Sequence, residues 1–298
     1  MKHTRSILGG IALTAAATLA LSGCAGGAGD TAAPGAEKKS IEIAVFNGWD
    51  EGIAASYLWQ SILEDKGYDV KLTYADVAPV YQGLARGDFD LVLDTWLPTT
   101  HADYMKRYGD KVEDLGAWND DARLTIAVNK DAPIDSLDQL AAASDQFGGR
   151  IVGIEPGSGL MRITGDDVVP GYGLESMQLV ESSTPAMLAE LKKATDAGQN
   201  IAVTLWRPHW AYSAFPIKDL ADPKGLLGSA ESIHSVASTS FAKDHPEVHG
   251  WISNFSMPSD KLASLEDVMF NQNNGDDYGP ALTQWIADNQ AWVDGLTS

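Results

Sequence analysis

The 298-residue chain is 44% hydrophobic and 21% charged, with 29 glycines and 13 prolines; this supports a sizeable folded core and excludes a disordered or collagen-like chain. Acidic residues outnumber basic ones 41 to 21, for a formal net charge of −20, and a surface that acidic repels nucleic-acid phosphates and anionic lipid headgroups. The single cysteine, Cys24, excludes a disulfide scaffold and any multi-thiolate metal site.

The chain opens on a short basic segment, Met1–Arg5, followed by the apolar run Ile7–Leu21. That run is shorter than the roughly 20 residues of a membrane span and has the small side chains of a secretory signal. It ends in Leu21-Ser22-Gly23-Cys24, which resembles the lipobox of bacterial lipoproteins. The resemblance implies cleavage before Cys24 and lipid attachment to its thiol. Residues 1–23 are therefore expected to form a lipoprotein signal peptide. Residues 24–40 should be a lipidated tether, because Ala25–Lys39 carries no hydrophobic period. The mature protein is expected outside the cytoplasm, anchored to the cell membrane.

From residue 41 short β-rich runs alternate with helical periods, the pattern of an α/β fold with parallel strands. Ile41–Phe46, Val70–Tyr74 and Phe89–Leu93 read as strands. Ile53, Tyr57, Leu58, Ile62 and Leu63 mark a helix over residues 51–66 that stops at Gly67. A helical turn is expected at Val80–Ala85, further strands at Leu124–Val128 and Ile151–Ile154, and a short helix near Leu137–Ala143. A helix should follow Gly159, then a strand at Gln178–Val180, a helix at Pro185–Ala194 and a strand at Ile201–Leu205. The tail from about Ser232 reads as helical, with Trp251, Trp285 and Trp292 as core. Length suggests two lobes, and no linker separates independent domains, so the chain should cross between lobes more than once, with a ligand in the cleft.

No motif argues for catalysis. The Gly-x-Ser-x-Gly elbow fails around Ser158, where Pro156 takes the first glycine position. His245 and His249 lack the glutamate of a zincin helix and read as a solvated helix start. The phosphate loop is absent, and neither a metal nor a cofactor is expected. The tryptophans are more informative. Trp49 follows the first strand, Trp96 the third, and Trp206 ends the strand before Arg207-Pro208-His209-Trp210. Ligands in open α/β folds bind beyond the carboxyl ends of strands. Glu155-Pro156-Gly157-Ser158-Gly159-Leu160-Met161 adds a small-residue turn leading into a helix, where backbone amides favour an anion.

In combination, Trp96-Leu97-Pro98-Thr99-Thr100-His101, Pro156–Met161 and Trp206–Trp210 resemble the glycine betaine-binding proteins of osmoprotectant ABC importers, the OpuA/ProX type, over residues 41 to about 258. The resemblance implies a two-lobed, type II periplasmic-binding-protein fold that acts as a monomer. Its lobes would be 41–128 plus 228–298 and 129–227, with the ligand in the interlobe cleft. It further implies a quaternary-ammonium cage of Trp49, Trp96 and Trp206, and a carboxylate site of His101 with the amides of Gly159 and Leu160. Ser158 and His209 are secondary candidates; Arg207, His209 and Trp210 otherwise read as structural or cleft-rim residues. The expected partners are a small quaternary ammonium compound and a membrane ABC permease. A trimethylammonium group has no N–H to donate, so aromatic faces must recognise it, at about 2 kcal/mol for each desolvated contact. Two positions depart from the family pattern: Leu205 replaces a glycine, and Asp94 replaces a small neutral residue. A choline or carnitine binder is the alternative to glycine betaine; Asp94 shares a strand face with Trp96, and a carboxylate there favours a cation without its own, such as choline. An enzyme acting on such compounds and a purely structural lipoprotein are the readings from other classes.

Overall fold

The computed structural model describes residues 39–273 and 277–298. The expected signal peptide, Cys24 and all but the end of the tether lie outside these residues. The first strand already begins at Ser40, the last residue assigned to the tether.

Nine strands make up one curled sheet among the described residues: β1 (Ser40–Phe46), β2 (Asp69–Ala75), β3 (Leu91–Leu97), β4 (Val112–Asn129), β5 (Arg150–Val152), β6 (Gln178–Val180), β7 (Ala202–Arg207), β8 (Ile217–Asp219) and β9 (Glu231–Ser238). Their order is β2-β1-β3-β9-β4-β7-β5-β6, with β8 beside β4. The expected parallel pairs exist, β1 with β2 and β3, and β5 with β6 and β7. However, β9 lies antiparallel to both β3 and β4, and β7 antiparallel to β4, so the sheet is mixed rather than parallel throughout.

The long strand β4 is the seam. Val112–Ala122 pairs with β9, and Arg123–Val128 pairs with β7. One half of the sheet is thus β2-β1-β3-β9, the other β7-β5-β6 with β8, and β4 runs from the first into the second. Its direction decides where the site forms. β3 runs with β4 and β7 runs against it, so their carboxyl ends arrive at the same stretch of the seam. Trp96 of β3 faces Ile233 of β9, which in turn pairs with Asn119 of β4, while Trp206 of β7 faces Leu124 of β4.

The first half buries β1 on both faces: Ile41, Ile43, Ala44, Val45 and Phe46 are all inaccessible. The helix Asp50–Asp65 covers it with Ile53, Leu58, Ile62 and Leu63, as the 3.6-residue period predicts. Other expected elements appear with shifted ends: the helices Val77–Leu84 and Thr184–Asp196, and a helical stretch that opens at Gly159. Leu137–Ala143 yields only a 3₁₀ turn, Leu137–Gln139, closed by a Ser136/Gln139 capping box.

The tail differs most. Glu231–Ser238 is a central strand rather than a helix, and the chain becomes helical only from Phe241. Trp285 is buried in the core, whereas Trp251 and Trp292 are half-buried and pack against it. His245 is fully buried against Phe241 and not solvated, and His249 pairs with Glu113 at 3.1 Å.

Candidate ligand-binding site

At the meeting point of β3 and β7 lies a cleft of about 280 Å³ walled by Trp49, Trp96 and Trp206, with Glu51, Thr100, Leu124, Ile154, Ser158 and Leu160. All nine are buried. The wall draws on both halves of the sheet: residues 49–51 follow β1 and residues 96–100 end β3, while residues 154–160 follow β5 and Trp206 ends β7.

Each indole is held by its own device. Trp49 precedes the helix Asp50–Asp65, meets Phe46 edge-on at 4.8 Å and stacks on His101 at 5.4 Å with an interplanar angle of 15°. The Trp96 indole N–H donates to Asp94 at 2.9 Å, and that of Trp206 donates to Glu51 at 2.9 Å. Because Glu51 lies on the helix that follows β1 and Trp206 lies on β7 in the other half, the second bond spans the seam. Trp96 lies inside β3, one residue before its end, rather than after it.

The turn after Trp96 is fixed by a carboxylate remote in sequence. Glu231, at the start of β9, accepts from the Thr99 amide at 2.7 Å, the Thr100 amide at 2.8 Å and the Thr100 hydroxyl. His101 closes the turn: its amide donates to the Trp96 carbonyl at 3.0 Å, and its Nδ1 accepts from the Trp96 amide at 2.8 Å. An accepting Nδ1 puts the ring proton on Nε2. Burial and the Arg162 charge push the imidazole pKa down to about 3, so His101 is a neutral donor. Its Nε2 is buried and has no partner.

Glu51 on the wall and Asp50, Asp94 and Glu266 behind it form a layer of buried carboxyl groups. Asp94 fits only because residue 52 is glycine; a Cβ there would lie 2.4 Å from its Oδ2. Asp50 and Glu51 occupy the first turn of the helix Asp50–Asp65, where the dipole favours an anion by about 0.3–1 kcal/mol. Desolvation outweighs that gain. Burial pushes Asp50 up to about 7 and Glu51 up to about 8. Asp94 and Glu266 also stand well above the ordinary carboxylate range, through burial and then the neighbouring acids.

Of the residues expected from sequence, Trp49, Trp96, Trp206, Ser158 and Leu160 share the wall. Gly159 contributes close approach between the halves: a Cβ on it would lie 2.3 Å from the Thr100 carbonyl oxygen. His101, Asp94 and His209 stand behind the wall rather than on it, against Trp49, Trp96 and Trp206 respectively. His209 accepts at Nδ1 from the Ala211 amide at 3.0 Å. Arg207 pairs with Asp219 at 2.7 Å and lies over the Tyr212 ring, and Trp210 donates to Asp50; these roles are structural. Sequence reasoning missed Glu51, Thr100, Leu124, Ile154 and Glu231. The only local hint was the placement of Glu51 two residues after Trp49.

Residues 39–288 match the model of a family described as the substrate binding domain of ABC-type glycine betaine transport systems (OpuAC). The chain belongs to this family. Its members are substrate-binding components of importers rather than enzymes, and they work outside the cytoplasm. The chain is 34% identical over 171 residues to the glycine betaine/carnitine transport binding protein GbuC of Listeria monocytogenes, a match covering 55% of each chain and so about half the length of that relative. Lactococcal OpuAC, in a closed-liganded crystal structure with glycine betaine, is 31% identical with a TM-score of 0.80, covering 88% of this chain and all of that one. An ABC-transporter choline-binding protein in complex with choline is 25% identical with a TM-score of 0.79, covering 87% and 91%. The mixed sheet with its seam is therefore the two-lobed fold of the type II binding proteins. Among the described residues no helix is long and apolar enough to cross a membrane.

The buried acids give the fold a pH dependence. Both Asp50 and Glu51 hold a proton in the folded state at a pH where the unfolded chain has lost it. A raised folded pKa means stability that is present below the unfolded value and lost as pH rises through the folded one. His209, pushed down to about 3 by burial, and His101 act in the opposite direction, but only below about pH 6.5. The ligand-free protein is expected to lose stability between about pH 6.5 and 8, as read by denaturant unfolding across that window. A stability that rises over the same window would contradict the buried, protonated state of these acids.

Proposed function

We propose that this protein captures glycine betaine, or a close methylammonium relative such as proline betaine, and hands it to an ABC permease for uptake as a compatible solute. The observation that carries this reading is the convergence of three buried tryptophans on one small cleft between the two halves of the sheet. In this reading Trp49, Trp96 and Trp206 form the cage for the quaternary ammonium. The Nε2–H of His101 and the amides of Gly159 and Leu160 hold the carboxylate, and Ser158, on the wall beside them, is a secondary contact.

The magnitudes support a two-ended site. Three desolvated cation–π contacts supply roughly 6 kcal/mol, and micromolar affinity needs about 8 kcal/mol. Charge-assisted hydrogen bonds to the carboxylate, at about 1.5–3 kcal/mol each, make up the difference and offset the cost of closing the halves. A second reading, a choline binder, is favoured by Glu51 on the wall and Asp94 behind Trp96, since either acid partners a cation that lacks its own carboxylate.

The lobes in this account are 41–128 plus 228–298 and 129–227, with the crossings at the seam strand β4 and before β9. Cys24, outside the described residues, is the lipid-bearing residue that tethers the protein to the cell membrane.

Two outcomes follow. Trp96→Ala is expected to weaken glycine betaine binding by about 2 kcal/mol, roughly thirtyfold, with a much smaller loss for Trp96→Phe, as calorimetry would measure. Wild-type affinity in Trp49→Ala, Trp96→Ala and Trp206→Ala alike would mean that these rings are core and the cage lies elsewhere. For the anchor, Cys24→Ser is expected to abolish palmitate labelling; label retained by the variant would exclude lipidation at this residue.

A further inference from the structure

Glu51 is the one acidic residue on the cleft wall. Its side chain crosses the seam to accept the Trp206 indole proton at 2.9 Å, so the protein itself holds it in place. It is almost fully buried. The titratable groups bearing on it are Asp50 on its own helix, Asp94 on β3 and Glu266 on the helix Ser259–Glu266, with the indoles of Trp96 and Trp206 as donors. The acids raise the cost of a second negative charge in this layer, and three of their oxygens, Asp94 Oδ2 and both of Glu266, have no hydrogen-bond partner. The two buried imidazoles nearby, His101 and His209, are neutral and supply no compensating charge. The indole donors favour an ionised Glu51, but burial outweighs them, and no basic side chain stands against it.

We propose that Glu51 is the charge-reading residue of the cage: a cation entering the cleft supplies the missing positive charge, and Glu51 gives up its proton to solvent as the ligand binds. The inference rests on the functional reading above and adds to it. Aromatic faces alone favour a cation over a neutral group of the same shape, but by a fixed amount. A carboxyl that ionises on binding makes that preference depend on pH. An opposite charge within a few ångströms favours the ionised form of a carboxyl, so binding and ionisation reinforce each other. With Glu51 protonated up to about pH 8 in the free protein, affinity for the cation rises with pH. Linkage caps the slope at about tenfold per pH unit for one released proton. The same residue sets specificity: choline, with no carboxylate to repel Glu51, gains more from its ionisation than glycine betaine does.

The test is titration calorimetry of the whole chain with glycine betaine and with choline from pH 5.5 to 8.5. Each titration is run in two buffers of different ionisation enthalpy, which counts released protons directly. Neither ligand titrates in this range. The expected result is a fraction of a proton to one proton released near neutral pH and an affinity several-fold to tenfold higher at pH 7.5 than at 6.5. Glu51→Gln is expected to flatten the pH profile for both ligands and to weaken choline more than glycine betaine, while Asp50→Asn keeps the slope. Betaine binding with no proton released, or a slope lost in Asp50→Asn and kept in Glu51→Gln, overturns the role of Glu51 and leaves the cage standing. Failure of both ligands to bind at every pH overturns the functional reading and this inference with it. Where Glu51→Gln does not fold, the proton count on the unmodified protein taken together with that on Asp50→Asn decides the matter.

Discussion

The hydrogen bond from the Trp206 indole to the Glu51 carboxyl joins the two halves of the sheet through side chains, where no backbone crossing does. Trp206 ends a strand of one half, and Glu51 opens a helix of the other. Only β4 and the approach to β9 cross covalently, so the relative placement of the halves depends on contacts of this kind. Others join it: Trp210 donates to Asp50, Tyr104 to the Gly157 carbonyl at 3.3 Å, and Gly159 lies against the Thr100 carbonyl. Most of these contacts lie at or beside the cleft wall, so the geometry that holds the halves together is also the geometry of the site.

Such a junction is costly. Carboxyl groups buried without basic partners remain tolerable only by holding their protons, and the unpartnered oxygens of Asp94 and Glu266 mark stability given up in this layer. Strain and desolvation of this sort concentrate where a fold has work to do. In the proposed function, a cation placed among these groups would relieve the cost and make closing the halves around it more favourable. Binding energy and closure are in this way the same quantity seen from two sides.

The elements that read clearly in the sequence were those with an unbroken period. β1, β2, β6 and the helix Asp50–Asp65 fall within a residue or two of expectation. Of β4 only Leu124–Val128 was read as strand; its first part and β9 did not read, for identifiable reasons. β4 carries Glu113, Asp114, Asp120 and Asp121, and its ladder with β9 shifts register three times, which breaks the period-2 signal. β9 mixes Glu, Ser and His with Ile, Val and Ala without a period-2 alternation, so no local pattern marks it as a strand. The tryptophans of the cleft were legible because turn residues follow strand ends. Glu231 was not, because its contacts lie 131 and 132 residues away in sequence. Glu51 and Glu266 were hidden among 41 acids, and only burial distinguishes them from the solvated majority.

The central claim is that the cleft recognises positive charge on a quaternary centre. The measurement that tests it most directly compares glycine betaine with 3,3-dimethylbutanoate, in which carbon replaces the charged nitrogen while the shape and the carboxylate are kept. Calorimetry at one pH is expected to give an affinity for glycine betaine higher by at least about a hundredfold, since each desolvated cation–π contact is worth about 2 kcal/mol. Equal affinities for the two would contradict the account, because shape and carboxylate alone would then explain the binding.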